Sequence, residues 1–129
     1  MPFLSVATPR SMTNRAQLYY EDRTIEQART IMFLHDWPFN RQEWAYPVAL
    51  FSRGYRTVTV DLPGFGRSDQ PGGLITYETL ARDVGALSKV LNLNNVVVVG
   101  AGMGTGVALT YTRCFPRMVA GLVLIGPIA

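Results

Sequence analysis

A buried strand, a tight turn and the start of a helix follow one another in residues 95–106. The run Val96–Val99 is continuously apolar, as is typical of a strand covered on both faces, and glycines then recur at alternate positions. A turn of this kind presents its central residue at the end of the strand, where a serine hydroxyl could attack a carbonyl carbon. The central residue here is Gly102, which has no side chain. The pattern therefore predicts a scaffold for nucleophilic chemistry that lacks the attacking atom.

Two other side chains could act as nucleophiles, and the sequence favours a structural role for both. Ser68 lies in a glycine-rich turn, where its hydroxyl is expected to bond the backbone. Cys114 lies near the end of a predicted helix, and His35, the single histidine, is far from it in the sequence. We expect Cys114 to be a packed thiol, because a reactive cysteine needs a neighbouring base or cation.

Composition and charge exclude several classes of protein. Of the 129 residues, 48% are hydrophobic and 16% are charged, which indicates a folded globular domain. The formal charge is +3 and the arginines are scattered, so no nucleic-acid surface is predicted. No apolar run approaches the roughly 20 residues of a membrane span, and no group of side chains has metal-ligand spacing. We expect no cofactor, no intrachain disulfide at the single cysteine, and a cytoplasmic protein.

Strand and helix patterns alternate along the chain, which predicts one α/β domain over residues 1–129. Thr76 precedes an apolar helical pattern and is a candidate N-cap. The expected strands are Phe3–Ala7, Ala16–Glu21, Thr30–Leu34, Arg56–Val60, Val96–Val99 and Val119–Ile125. The expected helices are Arg41–Ser52, with Pro47 kinking or delaying it, Tyr77–Leu91 and Gly104–Phe115.

Four segments together resemble the α/β-hydrolase family, in its lipase, epoxide-hydrolase and haloperoxidase-like branch. They are Leu34–Pro38, Asp61–Ser68, the glycine turn at Gly100–Gly106 and the tail Phe115–Ile125. The resemblance covers roughly residues 16–129 and implies a mostly parallel sheet with helices on both faces. It also implies a domain truncated after about the sixth strand.

The resemblance assigns roles to individual positions, and the departures from the family pattern are informative. Ala101 and Gly102 stand where the family has His and its nucleophilic Ser, and Asp36 stands where it has Gly. The backbone N–H groups of Trp37 and Met103 would form the oxyanion hole, and a negative charge on Asp36 would disfavour an oxyanion there. The remaining matched positions have structural roles in the family; they are His35, Asp61, Gly64, Gly66, Ser68, Gly100 and Gly104.

A complete triad also needs an imidazole and an acid, which the family takes from later strands. No histidine follows His35, whose implied role is to support the oxyanion loop. We therefore expect a family member that is catalytically impaired or inactive as this chain stands, either a pseudoenzyme or a fragment of a longer hydrolase. The alternative is an ester or epoxide hydrolase completed by another chain or by a further C-terminal segment.

A third interpretation is an anion- or nucleotide-binding module built on the glycine-rich turn. Glycines at a helix start can cradle a phosphate, as in the G-x-G-x-x-G pattern. In the two possible registers, however, Thr105 or Val107 replaces the third glycine, and no lysine follows as in a P-loop. A small-molecule ligand remains the expected partner, together with self-association through the uninterrupted apolar edge of Val119–Ile125.

Overall fold

The computed structural model describes residues 3–7, 15–70 and 75–126. In this part of the chain, strands and helices alternate as the sequence predicts. The strands are β1 (Phe3–Ala7), β2 (Arg15–Arg23), β3 (Thr30–Leu34), β4 (Arg56–Val60), β5 (Val96–Ala101) and β6 (Val119–Ile125). The helices are α1 (Ala45–Phe51), α2 (Tyr77–Val90) and α3 (Met103–Cys114), with short 3-10 turns at Arg41–Trp44 and Pro116–Met118.

The strands form one sheet in the order β1-β2-β4-β3-β5-β6. Strands β4, β3, β5 and β6 run parallel to one another, whereas β2 pairs antiparallel with both β1 and β4. The mostly parallel sheet expected from the sequence is confirmed. The parallel arrangement brings the loops that follow β3, β4 and β5 to the same end of the sheet, where ligands of open α/β sheets bind.

Helices pack on both faces of the sheet. Successive side chains of β3 point to opposite faces, so they contact different helices. Ile31 and Phe33 pack in a cluster with Trp44 and Val48, at the 3-10 turn and α1. Met32 and Leu34 belong to the larger cluster that α2 and α3 cover from the other side. The central strands are therefore buried on both faces, as their continuous apolar sequences indicate.

The predicted helix Arg41–Ser52 differs from the observed structure for a local reason. The helix expected from Arg41 begins as a 3-10 turn, in which the Asn40 side chain accepts a hydrogen bond from the N–H of Gln42 at 2.9 Å. Pro47 then lies in the first turn of α1, where its missing N–H removes no helical hydrogen bond. By contrast, Thr76 caps α2 as predicted and forms a reciprocal capping box with Thr79.

Asp83 is a buried acid on the core-facing side of α2. The residue is only 2% exposed, and its Oδ1 has no hydrogen-bond partner among the described residues. Burial raises the pKa of Asp83 from 3.8 to about 6, because the charged form is poorly solvated there. The folded protein therefore holds this proton at pH values at which the unfolded chain has released it.

We predict that Asp83→Asn stabilises the protein at pH 7.5 and has little effect at pH 4. A raised folded-state pKa contributes stability at low pH, and this contribution is lost as the pH rises through about 6. The free energy of unfolding at pH 7.5 should rise by at most about 3 kcal/mol, measured by urea titration at both values. Glu78→Gln, at the exposed start of the same helix, is the control. An equal gain at both pH values would contradict the assignment.

The outer edge of β6 is unpaired in the described part of the chain, and its last three side chains are exposed. Val123, Leu124 and Ile125 are 45%, 37% and 51% exposed. Strand β1 pairs with β2 at the opposite margin of the sheet, so it does not cover this edge. An apolar strand edge without charge or proline is a template for pairing with another chain.

We predict that the purified 129-residue chain associates with itself or binds a hydrophobic dye, and that Leu124→Lys reduces both effects. A lysine on an edge strand opposes pairing, because its charge would have to be desolvated. Sedimentation over a concentration series compares the two proteins, with Leu109→Lys, on an exposed position of α3, as the control. A wild-type chain that stays monomeric at high concentration and binds no dye would refute this prediction.

Candidate active site

The turn between β5 and α3 has the backbone shape of a strained strand-to-helix connection. Gly102 has φ 53° and ψ −117°, a combination that residues with a side chain rarely adopt. Gly104 is required for a different reason, since a Cβ there would collide with the carbonyl oxygens of Leu34 and His35. The first turn of α3 therefore lies directly against the end of β3.

His35 anchors the loop that follows β3 and is fully buried. Its Nε2 accepts a hydrogen bond from the N–H of Leu62 at 3.0 Å, and its Nδ1 lies 2.9 Å from the carbonyl oxygen of Asp36. Because Nε2 is an acceptor, the proton of the neutral ring is on Nδ1 and is donated to that carbonyl. Burial lowers the pKa of His35, which favours this neutral form. The imidazole thus joins two loops and has no nitrogen available for a substrate.

The Asp36 carboxylate lies over Gly102. A Cβ built on Gly102 would overlap the carboxylate carbon and both of its oxygens. Oδ1 accepts two backbone hydrogen bonds, from the N–H of Trp37 at 2.7 Å and from the N–H of Met103 at 2.8 Å. Met103 begins α3, so the partial positive charge of the helix N-terminus also faces this carboxylate. The carboxylate of Asp36 therefore occupies the place that a side chain at position 102 would take.

Glu43 holds the same loop from the other direction. Its Oε1 accepts a hydrogen bond from the backbone N–H of Asp36 at 2.9 Å. The peptide group of Asp36 is therefore fixed on both sides, by Glu43 at its N–H and by His35 at its carbonyl. This fixed backbone limits how far the carboxylate can move from Gly102.

The turn after β4 is organised around Asp61, which is fully buried. Its Oδ1 accepts a hydrogen bond from the N–H of Arg41 at 2.7 Å, and its Oδ2 is 3.1 Å from Nη1 of the same residue. Oδ2 also accepts from the N–H of Arg67 at 2.9 Å, close to Gly66, whose φ is 53°. Both oxygens of the Asp61 carboxylate accept hydrogen bonds from the protein, so the carboxylate has a structural role.

The other two candidate nucleophiles lie in structural positions. Ser68 donates its hydroxyl proton to the carbonyl oxygen of Asp61 and accepts from the N–H of Tyr19 at 2.8 Å. Cys114 is partly buried at the last residue of α3. It is roughly 16 Å along the helix axis from Met103, at 1.5 Å per residue. Neither side chain forms a hydrogen bond with the loop after β3 that carries Asp36, or with the turn at Gly102.

The structure brings together Asp36, Trp37, Gly102 and Met103, and it places Gly64, Gly66 and Ser68 in the neighbouring turn. The sequence indicates Asp36 and Gly102 as separate departures from the family pattern, but it does not reveal that one compensates sterically for the other. The sequence does contain a signal for this compensation. Relative to the family pattern, position 36 gains a side chain and position 102 loses one. The N–H groups of Trp37 and Met103 both donate to Oδ1 of Asp36. It stays a prediction that these two N–H groups form an oxyanion hole.

No group of three or more potential metal ligands occurs among the described residues. Within the same residues, no helix is long and apolar enough to cross a bilayer.

Comparisons with known proteins agree on one fold family. The sequence model described as alpha/beta hydrolase fold matches residues 29–129. The chain is 41% identical over 95 residues to an AB hydrolase superfamily protein, YisY, of Bacillus subtilis, covering 73% of this chain and 35% of that protein. It is 34% identical over 113 residues to a non-heme chloroperoxidase of Streptomyces lividans, covering 86% and 41%.

Solved structures give the same result. A thermophilic esterase from Thermogutta terrifontis superposes with a TM-score of 0.89 at 27% identity, covering 100% of this chain and 47% of the esterase. The chain therefore spans less than half the length of each of these three proteins.

We predict that Gly102→Ser and Asp36→Gly are strongly coupled. The serine Cβ collides with the Asp36 carboxylate, so the single variant should lose about 1–3 kcal/mol of stability, as overpacked sites do. Adding Asp36→Gly removes the obstacle and should recover much of this loss. Urea unfolding of wild type, both single variants and the double variant measures the coupling energy.

Gly66→Ser is the matched control, because Gly66 has the same φ of 53° and a Cβ there would collide with Asp61. Asp36→Gly should not rescue it. Additive free energies at positions 36 and 102 would show that the two side chains do not compete for one space.

Proposed function

Since this chain belongs to the alpha/beta hydrolase fold family, we propose that it is a member whose own Asp36 carboxylate fills the position of the attacking group. As this chain stands, it is impaired in ester hydrolysis. A single observation carries the proposal: one oxygen of Asp36 accepts both N–H groups that would stabilise an oxyanion. A substrate carbonyl could reach these donors only by displacing a charged group that is already hydrogen-bonded there.

The absence of a general base supports the same conclusion. Acyl transfer by a hydroxyl requires an imidazole or equivalent group to take its proton. The sequence has one histidine, and both of its nitrogens are engaged in the buried contacts to Leu62 and Asp36. A serine introduced at position 102 would therefore have no free imidazole from this chain to take its proton.

Two versions of this proposal differ in what the whole protein does. In the first, the domain is a pseudoenzyme that binds a small molecule in the cytoplasm without converting it. In the second, it is part of a longer hydrolase in which another segment or another chain supplies the acid and base for esters or epoxides. The chain spans 35% and 41% of the length of the two relatives described above, which is compatible with the second version. An ester assay on this chain, alone and mixed with the segment or chain proposed to supply the acid and base, separates the two versions.

Binding of an external anion or nucleotide at the glycine-rich turn receives less support. The N-terminus of α3 already holds the Asp36 carboxylate through the N–H of Met103. A phosphate at this position would be repelled by that charge unless the loop moved. We therefore favour a hydrolase-family domain whose site is occupied by its own Asp36 carboxylate over a domain that binds an external anion.

We predict that the isolated chain hydrolyses p-nitrophenyl acetate no faster than a heat-treated control. Restoring the family motif by Gly102→Ser with Ala101→His should not increase labelling by a fluorophosphonate, because the Asp36 carboxylate occupies the space of the new side chain and both nitrogens of His35 are engaged. Adding Asp36→Gly to this variant opens the space but leaves His35 bound to the backbone of Leu62, so labelling should stay slow. Saturable ester turnover by wild type that disappears on unfolding would show that the proposal is wrong.

A further inference from the structure

We propose that the groove between α1 and β6 binds a straight-chain fatty acid, with the alkyl chain on the sheet and the carboxylate beside Arg29. The groove is a cavity of about 400 Å³ on the face of the sheet that carries α1. Small-molecule sites have volumes of roughly 300–1,000 Å³. Neither Asp36 nor Gly102 is among the described residues that line the groove, so this inference goes beyond the proposed function.

The floor of the groove is apolar because of the way the strands pair. Phe33, Val99 and Val123 are register partners on β3, β5 and β6. Alternate residues of a strand point to the same face of the sheet, so the neighbours two positions away join them. Phe51 and Tyr55 form a wall on the α1 side, with ring centroids 5.9 Å apart. The floor consists of Ile31, Phe33, Val97, Val99, Val123 and Ile125.

Gly121 leaves free space at the amino end of this floor. It is the register partner of Val97 on β6, so a side chain at position 121 would point to the same face. A Cβ built there would meet no heavy atom within 4 Å. From residue 121 to residue 125 the floor runs about 13 Å, at 3.3 Å per residue, which fits an extended alkyl chain of roughly ten carbons.

The amino end of the groove is polar and carries a positive charge. Arg29 lines the groove and also lines a second cavity, of about 370 Å³, beside the starts of β3 and β5. The side-chain amides of Gln27, Asn94 and Asn95 line this second cavity and supply further hydrogen-bond donors. No acidic residue belongs to the described lining of either cavity, and Arg29 forms no ion pair in the described structure.

An aliphatic carboxylate matches both ends of this arrangement. Its head group complements the charge of Arg29, and its chain covers the apolar floor. A sugar or a nucleotide would place hydroxyl groups against a floor that offers them no hydrogen-bond partner. A second copy of the chain or a helix of a partner could cover the floor, but neither explains an unpaired cation among amides at one end only.

Calorimetry on the full 129-residue chain tests the site, with hexanoate, octanoate and decanoate as probes below their micelle concentrations. One molecule should bind per chain, and each added methylene should lower the Kd by up to about fourfold, the value for full burial. The heat-capacity change of binding should be negative. In nuclear magnetic resonance spectra, decanoate should shift the methyl signals of Val97, Val99 and Val123. Val107, on α3 at the other face of the sheet, should not respond.

Filling the groove from its floor separates the site from general hydrophobic binding. Gly121→Leu should weaken decanoate binding at least tenfold, because the new side chain occupies the open space over position 121. The free energy of unfolding should be unchanged or higher, since a glycine inside a strand contributes no side-chain packing. Leu124→Lys is the matched control. Residue 124 lies on the opposite face of the same strand, so decanoate should bind this variant as it binds wild type.

The head group is tested separately at Arg29. Arg29→Gln should weaken decanoate binding about threefold, the scale of an exposed ion pair. It should leave the binding of uncharged 1-decanol unchanged. Arg113→Gln removes the same charge from an exposed position on α3 and should affect neither probe.

The inference is overturned if decanoate does not bind, if the Kd is independent of chain length, or if Gly121→Leu binds as tightly as wild type. Methyl signals of the floor that change with protein concentration but not with decanoate would show that a second copy occupies the groove, which also overturns it. Failure of the proposed function is a separate result. Saturable ester turnover by wild type would remove that proposal and leave fatty-acid binding in the groove unaffected.

Discussion

The two hydrogen bonds from the N–H groups of Trp37 and Met103 to Asp36 join the loops at the carboxyl end of the sheet. They connect the end of β3 to the start of α3, and they need a carboxylate at position 36 with no side chain at position 102. A protein carboxylate thereby satisfies donors that would otherwise face solvent or a ligand. The function of this chain therefore depends on whether that carboxylate is in place.

The surrounding structure keeps this contact in position. His35 and Glu43 fix the peptide group of Asp36, and His35 also binds the backbone of Leu62 in the next loop. Gly104 allows the helix to approach the end of β3 closely. The contact is therefore built into the packing of β3 against α3, and the price of removing Asp36 is two unpaired N–H groups.

Much of the fold could be predicted from the sequence, because its signals are local. The valine run of β5 and the threonine cap of α2 each specify an element without reference to the rest of the chain. The contact between Asp36 and the α3 start could not be predicted this way, since it spans 67 residues and depends on β3 lying beside β5. The sequence likewise placed Asp83 on a helix but did not reveal that Oδ1 lacks a partner.

The backbone amide proton of Met103 reports on the central contact most directly, because only the fold brings it to Asp36. Nuclear magnetic resonance at pH 7 should show this proton far downfield, because it is donated to a charged oxygen at 2.8 Å. In Asp36→Asn the proton should move upfield, since a neutral amide oxygen is a weaker acceptor, and the Trp37 amide should move in parallel. A Met103 amide with an ordinary chemical shift, or with the same shift in Asp36→Asn, would contradict the account of a site filled by its own carboxylate.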